Sequence, residues 1–102
     1  MKKIMISQPM KGKTNEQIIE ERRALVHELE NRGYEVLDTV FDTAPKDTDE
    51  AVWYLSKSIE YLAQADVVFF MKGWEYARGC KIEHQIAVEY GKKVMYEYSE
   101  EE

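Results

Sequence analysis

The stretch that decides the fold class is Asp66-Val67-Val68-Phe69-Phe70-Met71, which places apolar residues on both faces of an extended chain. A strand that is buried on both faces is typical of the middle of a parallel sheet. A second apolar stretch, Lys3-Ile4-Met5-Ile6-Ser7, contains β-branched residues and predicts a strand near the start of the chain. Shorter strands are predicted at residues 34–37 and 93–98.

Helices are predicted in the three intervals between these strands. The first begins with Thr14 or Asn15 as its N-cap and runs to about residue 31, and the others span residues 51–65 and 80–90. The resulting order, βαβαβαβ, indicates a parallel sheet with right-handed crossovers and helices on both faces. We therefore predict an α/β, three-layer flavodoxin-like fold with a four-stranded parallel sheet in the order 2-1-3-4.

The composition is that of one compact domain. The chain has 102 residues and a formal net charge of -6, and we interpret residues 39–50 as a surface loop and residues 99–102 as an acidic tail. The negative charge argues against a protein that binds a nucleic-acid polymer through its phosphates. No apolar run approaches the roughly 20 residues of a membrane span, and the N-terminus has no apolar signal segment, so we expect a cytoplasmic domain without a membrane partner.

The predicted topology indicates that two loops form a binding site. In a sheet of this order, ligands bind outside the carboxyl ends of the first and third strands, where the strand order reverses. The loops at these positions are residues 7–12 and 72–79. The candidate binding residues on them are Ser7, Gln8, Pro9, Met10, Gly73, Trp74, Arg78 and Gly79.

Three of these candidates, Ser7, Trp74 and Gly79, also have a plain structural interpretation. Ser7 would bond a phosphate or sugar oxygen, but a serine that closes a strand is also common turn chemistry. Trp74 would stack a base or form a hydrophobic plug over the sheet edge, and Arg78 would pair with a phosphate. Gly79 would let an anion approach the amides of the third helix, or it is an ordinary turn glycine.

Glu83 is the residue that most clearly breaks the hydrophobic pattern. It shares a helical face with Ile86, Ala87 and Tyr90, and that face is expected to pack on the sheet. Burial disfavours its charged form, whereas a nearby helix N-terminus favours it. A carboxylate held at this point suits nucleophilic or general-base chemistry, and the alternative is that Glu83 bonds the backbone amides of its own helix start.

Three further features concern packing and association. Arg22 interrupts the apolar stripe of the first helix, and it would extend to the rim, pair with a buried carboxylate or bridge a subunit interface. On the second helix, Trp53, Tyr54 and Tyr61 widen the apolar arc, which indicates a subunit interface and a homodimer or higher homo-oligomer. The lone cysteine, Cys80, excludes an internal disulfide and is interpreted as packing.

Three segments give the chain a resemblance to the nucleoside 2-deoxyribosyltransferase superfamily, including its small nucleotide N-glycosidase-like and phage-type members. They are Ile4-Met5-Ile6-Ser7-Gln8-Pro9-Met10, residues 65–70 and the block from Gly79 to Gly91. The last block is the most specific, since the family has a glycine, three residues, the catalytic glutamate and then an alanine-containing helix.

The resemblance implies a nucleophilic role for Glu83. In the family this glutamate attacks the anomeric carbon of a deoxyribosyl group and displaces the nucleobase, and another base or water then resolves the covalent sugar. The first-strand loop would close around the substrate, and no metal or cofactor is expected. At the position where transferases of the family have an aspartate the chain has Ala77, and Glu75 in the same loop is a possible substitute.

Three hypotheses for the function follow. The first is cleavage or exchange of the N-glycosidic bond of a nucleoside or nucleotide through the carboxylate of Glu83. The second is a module that binds a nucleotide, to sense or sequester it, without turning it over. The third is a structural or dimeric interaction protein, in which Glu83 caps its helix and Arg22 serves an interface.

Overall fold

The computed structural model of the protein describes residues 1–37 and 43–97. Residues 39–42 of the predicted loop, the end of the last predicted strand at Tyr98 and the predicted acidic tail lie outside the described residues.

The chain alternates strands and helices in the predicted order. A short 3-10 turn at Trp74–Tyr76 links the third strand to the third helix. The elements are β1 (Lys3–Ser7), α1 (Asn15–Asn31), β2 (Glu35–Val36), α2 (Glu50–Gln64), β3 (Val67–Phe70), α3 (Arg78–Glu89) and β4 (Lys93–Tyr96).

The four strands form one parallel sheet in the order β2-β1-β3-β4, which confirms the predicted fold. Ile4 of β1 lies opposite Val67 of β3, and Ser7 lies opposite Phe70 at the carboxyl end. All four residues of β3 are buried, as expected of an inner strand. The strand order reverses between β1 and β3, so the predicted switch point is present.

The sheet has a different cluster of buried side chains on each face. Helix α1 packs on the face that carries Ile4, Ile6 and Phe69, with Leu29 as its buried residue. Helices α2 and α3 pack on the opposite face through Leu62 and Ala87. Because side chains alternate along a strand, Ser7 faces α2 and α3, whereas Gln8 turns to the side of α1. None of the helices within residues 1–37 and 43–97 has the length and apolar character needed to cross a bilayer.

The helix starts show how local sequence sets the boundaries. Thr14 is the N-cap of α1 and forms a capping box with Gln17, which satisfies two backbone N–H groups. Asp49 caps α2 by accepting a hydrogen bond from the N–H of Val52. Helix α3 begins at Arg78, two residues before the predicted start, because the 3-10 turn leads directly into it. Glu83 is therefore in the second turn of α3.

Candidate active site

The candidate site is built around a hydrogen bond between β1 and α3. The hydroxyl of Ser7 donates to Oε1 of Glu83 over 2.6 Å, and both side chains are buried. Ser7 is the last residue of β1, and Glu83 projects from the face of α3 that packs on the sheet. The contact lies at the carboxyl end of the sheet, next to the point where the strand order reverses.

Burial raises the pKa of the Glu83 carboxyl above its usual value. The hydrogen bond from Ser7 lowers this pKa, and the hydroxyl of Ser58 on α2 lowers it further, but neither offsets desolvation. Glu83 is not the N-cap of α3, which is Ala77. Its position in the second turn also separates it from the free N–H groups at the start of the helix, contrary to the expectation that these groups favour its charge.

Cys80 lies one turn before Glu83 on the same face of α3 and is buried. Burial raises the pKa of its thiol to about 11, and the neighbouring charge of Glu83 adds to the increase. The hydroxyl of Ser7 acts in the opposite direction and lowers the pKa of the thiol, but less than burial raises it. Cys80 is therefore a protonated, packed residue at neutral pH and not a nucleophile.

The two predicted loops meet beside this cluster. Gly73 adopts a left-handed conformation with a φ of 93°, and a Cβ atom added to it would lie 3.7 Å from Cγ of Pro9. The positive φ, more than the space around it, requires a glycine here. Pro9 is half-buried, and Met10 beyond it is exposed at the surface.

Gln8 is buried but faces away from Ser7 and Glu83. Its side-chain amide Nε2 donates to the backbone carbonyl of Ile18 over 2.9 Å and also reaches Glu21 of α1. Its Oε1 has no hydrogen-bond partner among the described residues. Gln8, a candidate binding residue from the sequence, thus ties the first loop to α1 and lies on the opposite side of the sheet from Ser7.

Trp74 is part of an aromatic cluster on the α3 side of the sheet. Its indole stacks on the ring of His84, with centroids 4.1 Å apart, and contacts Phe70 at 5.3 Å. The imidazole Nε2 of His84 lies 2.6 Å from the hydroxyl of Tyr96. One face of the indole is therefore occupied by a protein side chain, which agrees with the hydrophobic plug considered from the sequence.

Arg78 and Gly79 are the first two residues of α3. The side chain of Arg78 is exposed, and Gly79 is half-buried. A Cβ atom at Gly79 would meet Cδ1 of Leu55 at 4.0 Å, an ordinary contact. Neither packing nor backbone conformation therefore requires a glycine at position 79.

The other sequence anomalies are integrated into the fold. Arg22 is buried and donates from Nη2 to the backbone carbonyl of Leu37 over 3.3 Å. Trp53, Tyr54 and Tyr61 of α2 are half-buried, and Trp53 and Tyr54 contact each other edge to face. Glu75 is exposed on the 3-10 turn, and its negative charge contributes to the raised pKa of Tyr96.

Sequence reasoning missed Ser58, whose hydroxyl acts on Glu83 from α2. A serine at a helix position carries no signal of its own, and only the packing of α2 against α3 brings it to the carboxylate. The contact of His84 with Tyr96 was also missed, although His84 adjoins Glu83 in the sequence.

Two further observations define what surrounds the site. A cavity of about 660 Å³ lies on the other side of the sheet, between α1 and β4, with Glu21, Arg32, Phe69 and Met95 among its lining residues. It includes neither Ser7 nor Glu83. Within the part of the chain that the structure describes, no three His, Cys, Asp or Glu side chains form a group that could hold a metal ion.

Comparison with known families gives a match that covers nearly the whole chain. Residues 2–96 match the family model described as a domain of unknown function, DUF4406. The chain belongs to this family. Comparisons with curated proteins and with solved structures found no match. The DUF4406 domain spans every strand and helix described above, so the contact between Ser7 and Glu83 lies within it.

Proposed function

We propose that this DUF4406 protein cleaves or exchanges the N-glycosidic bond of a nucleoside or nucleotide, with Glu83 as the nucleophile. The observation that carries the proposal is the buried carboxylate of Glu83, positioned by the Ser7 hydroxyl at 2.6 Å at the sheet's switch point. Packing alone does not account for a carboxylate at this position, since burying a charge is costly. The resemblance to nucleoside 2-deoxyribosyltransferases supports the same role for Glu83.

In the proposed reaction, a carboxylate oxygen of Glu83 forms a bond to the anomeric carbon. The bond from this carbon to the base nitrogen breaks, and its electron pair leaves with the base, which takes up a proton. Water then attacks the glycosyl ester, returns the carboxylate and gives the sugar a hydroxyl group. The net hydrolysis adds OH to the sugar and H to the base, whereas an acceptor base in place of water gives exchange.

The two serines have a defined task in this proposal. A nucleophilic carboxylate must be ionised, and burial alone favours the protonated acid. Hydrogen bonds from Ser7 and Ser58 lower the pKa of Glu83 and so increase the ionised fraction at neutral pH. The same bonds fix the orientation of the carboxylate relative to the incoming sugar.

The substrate would be held by the loops on either side of Glu83. Ser7 closes β1, and Pro9 and Gly73 bring the two loops together. Arg78 and the backbone amides beside Gly79 provide an anion-binding position for a phosphate at the start of α3. For Trp74 we propose a contact with the base through the indole face that His84 does not cover.

A second candidate function is a nucleotide-binding module without turnover. The observation that favours it is the low accessibility of Glu83, which is only 6% exposed and therefore needs a movement of the neighbouring loops to reach an anomeric carbon. Ala77 in place of the family's aspartate points the same way, because base protonation then lacks its usual donor. We further propose a cytoplasmic location and self-association into at least a dimer.

The test is base release by the full chain from a panel of nucleosides and 5′-nucleotides, followed chromatographically with and without an acceptor base. Release that disappears in Glu83→Gln supports glycosidic chemistry. Saturable binding of a nucleotide that is recovered unchanged supports the module. Glu89→Gln, an exposed carboxylate on the same helix, is the matched control and should behave as the wild type.

A further inference from the structure

Strand β4 is an edge of the sheet, and within residues 1–37 and 43–97 no second strand pairs with its outer side. It pairs with β3 on one side only. The backbone N–H of Lys93 donates to the carbonyl of Asp66, just before β3, and that of Glu97 donates to the carbonyl of Phe70 at the end of β3. Since successive residues of a strand point their N–H and C=O groups in opposite directions, those of Val94 and Tyr96 face outward. An open edge of this kind is a template for another strand.

The two edges of the sheet are not equivalent. At the other edge, the register of β2 with β1 comprises only Glu35 and Val36, whereas β4 offers four paired residues, Lys93–Tyr96. Very short edge strands are one way in which proteins prevent edge pairing. The longer edge at β4 lacks this protection.

The sequence of β4 is self-complementary in charge. Around Met95 it reads Lys93-Val94-Met95-Tyr96-Glu97, with a cation and an anion at equal distances from the centre. If a second copy lies antiparallel with a two-fold axis at Met95, Lys93 stands opposite Glu97 of the copy on each side of the axis. Cross-strand pairs of opposite charge stabilise such a register, and like charges oppose it.

The outward backbone groups fit the same register. With the axis at Met95, Val94 faces Tyr96 of the other copy, and these are the residues whose N–H and C=O groups point outward. Registers centred on Val94 or on Tyr96 would also pair the outward N–H and C=O groups. However, the first brings Lys93 opposite Met95 and the second brings Glu97 opposite Met95, so both lose the ion pairs. One carboxylate oxygen of Glu97 accepts a hydrogen bond from the backbone N–H of Lys72. In this register, the other carboxylate oxygen would pair with Lys93 of the copy.

We propose that two copies of this chain pair through β4, antiparallel and centred on Met95, to form one continuous eight-stranded sheet. The interface differs from the one expected on α2, where Trp53, Tyr54 and Tyr61 are already half-buried within the chain. It lies at the outer edge of the sheet, two strands away from Ser7. The proposal names the surface for self-association and is independent of the glycosidic reaction.

The test is the molar mass in solution, measured by sedimentation equilibrium on the full chain. The wild type is expected at twice the 12.0 kDa of one chain. Lys93→Glu places two negative charges opposite each other at both ends of the paired strands. It should therefore raise the dissociation constant of the dimer at least tenfold. Combining Lys93→Glu with Glu97→Lys restores opposite charges and should restore the dimer. Lys46→Glu, an exposed loop substitution of the same charge change, is the control.

Cross-linking provides a second test that does not depend on affinity. Met95→Cys places two thiols directly opposite each other across the axis, close enough for a disulfide under mild oxidation. Lys93→Cys should not cross-link, since its counterpart in the copy is Glu97. Circular dichroism establishes that each variant is folded. A monomeric wild type, a dimer unchanged by Lys93→Glu, a double variant that stays monomeric, or equal cross-linking at positions 93 and 95 would each overturn the proposal.

Discussion

The hydroxyl of Ser7 and the carboxylate of Glu83 are 76 positions apart in the sequence and 2.6 Å apart in the fold. The parallel sheet makes this possible, because β1 ends where α3 passes over the carboxyl edge of the sheet. The bond joins the first strand to the last helix, and Cys80 and Ser58 complete the group of polar side chains around the carboxylate.

Replacing Ser7 should change both stability and the ionisation of Glu83. In Ser7→Ala the carboxylate loses its strongest hydrogen bond, at a cost of about 1–3 kcal/mol of unfolding free energy. The pKa of Glu83 should rise further, since the Ser7 bond lowers it. Denaturant unfolding measures the loss of stability. The acidic limb of the pH–rate profile measures the change in the pKa of Glu83. Ser58→Ala should shift that limb less, and an unchanged limb in both variants would contradict this role of the hydroxyls.

The raised pKa of Glu83 predicts how stability depends on pH. Above the carboxyl's unfolded pKa, the folded protein holds a proton that the unfolded chain has released. Stability from this group is therefore complete below the unfolded pKa and decreases as pH rises through the folded one. Glu83→Gln should remove this decrease while leaving the fold intact. The measurement is the free energy of unfolding of both proteins between about pH 4 and pH 8, and parallel curves would contradict the prediction.

Two glycines in the same loop region should respond differently to alanine. Gly73→Ala forces a Cβ into a left-handed conformation and should cost about 1 kcal/mol, or about 4–8 °C in Tm for a domain of this size. Gly79→Ala lies in α3 with ordinary contacts and should be neutral or slightly stabilising. Thermal unfolding distinguishes them. If Gly79→Ala keeps its Tm but loses nucleotide binding, the glycine serves ligand approach.

Trp74 should matter for stability because it packs on His84 and Phe70. Trp74→Ala should lower the free energy of unfolding by about 2–3 kcal/mol, somewhat less than for a fully buried tryptophan. Tyr76→Ala is the matched control in the same turn, since Tyr76 is 91% exposed and its loss should change stability by about 0.5 kcal/mol at most. Equal effects of the two variants would contradict the packing role.

The Cys80 thiol should react slowly in the folded protein. Burial raises its pKa to about 11, so the thiolate fraction at neutral pH is far below that of an ordinary cysteine. We expect a disulfide reagent to modify the native protein at least about 100-fold more slowly than the chain in denaturant. Similar rates in both states would show that the thiol is accessible.

Much of the fold could be predicted from local patterns. The apolar stretch of β3 and the alternation of strands and helices were sufficient to predict the parallel sheet and its order. The start of α3 could not be predicted as well, because Ala77 gives no side-chain cap and the 3-10 turn has no distinct sequence signal. Because the helix begins two residues earlier than predicted, Glu83 lies in its second turn and not in its first.

Residues of the candidate site could be predicted only where their polarity differs from that of the neighbouring positions in the sequence pattern. Glu83 stands out because it is a carboxylate on an apolar helix face. Ser58 does not, since a serine suits both the surface and the interior of a helix. The direction of Gln8 follows from strand alternation, but its bond to the Ile18 carbonyl depends on how α1 sits on the sheet.

The central proposal is that Glu83 acts as the nucleophile at an N-glycosidic bond. Its most direct test is trapping of the glycosyl-enzyme: the wild type and Glu83→Gln are incubated with 2′-fluoro-substituted nucleosides and 5′-nucleotides, and their intact masses are measured. We expect the wild type to gain the mass of one sugar, attached at Glu83, as free base is released. Glu83→Gln, with native circular dichroism, should gain none. Base release without any dependence on Glu83, or no release from any member of the panel, would contradict the proposal.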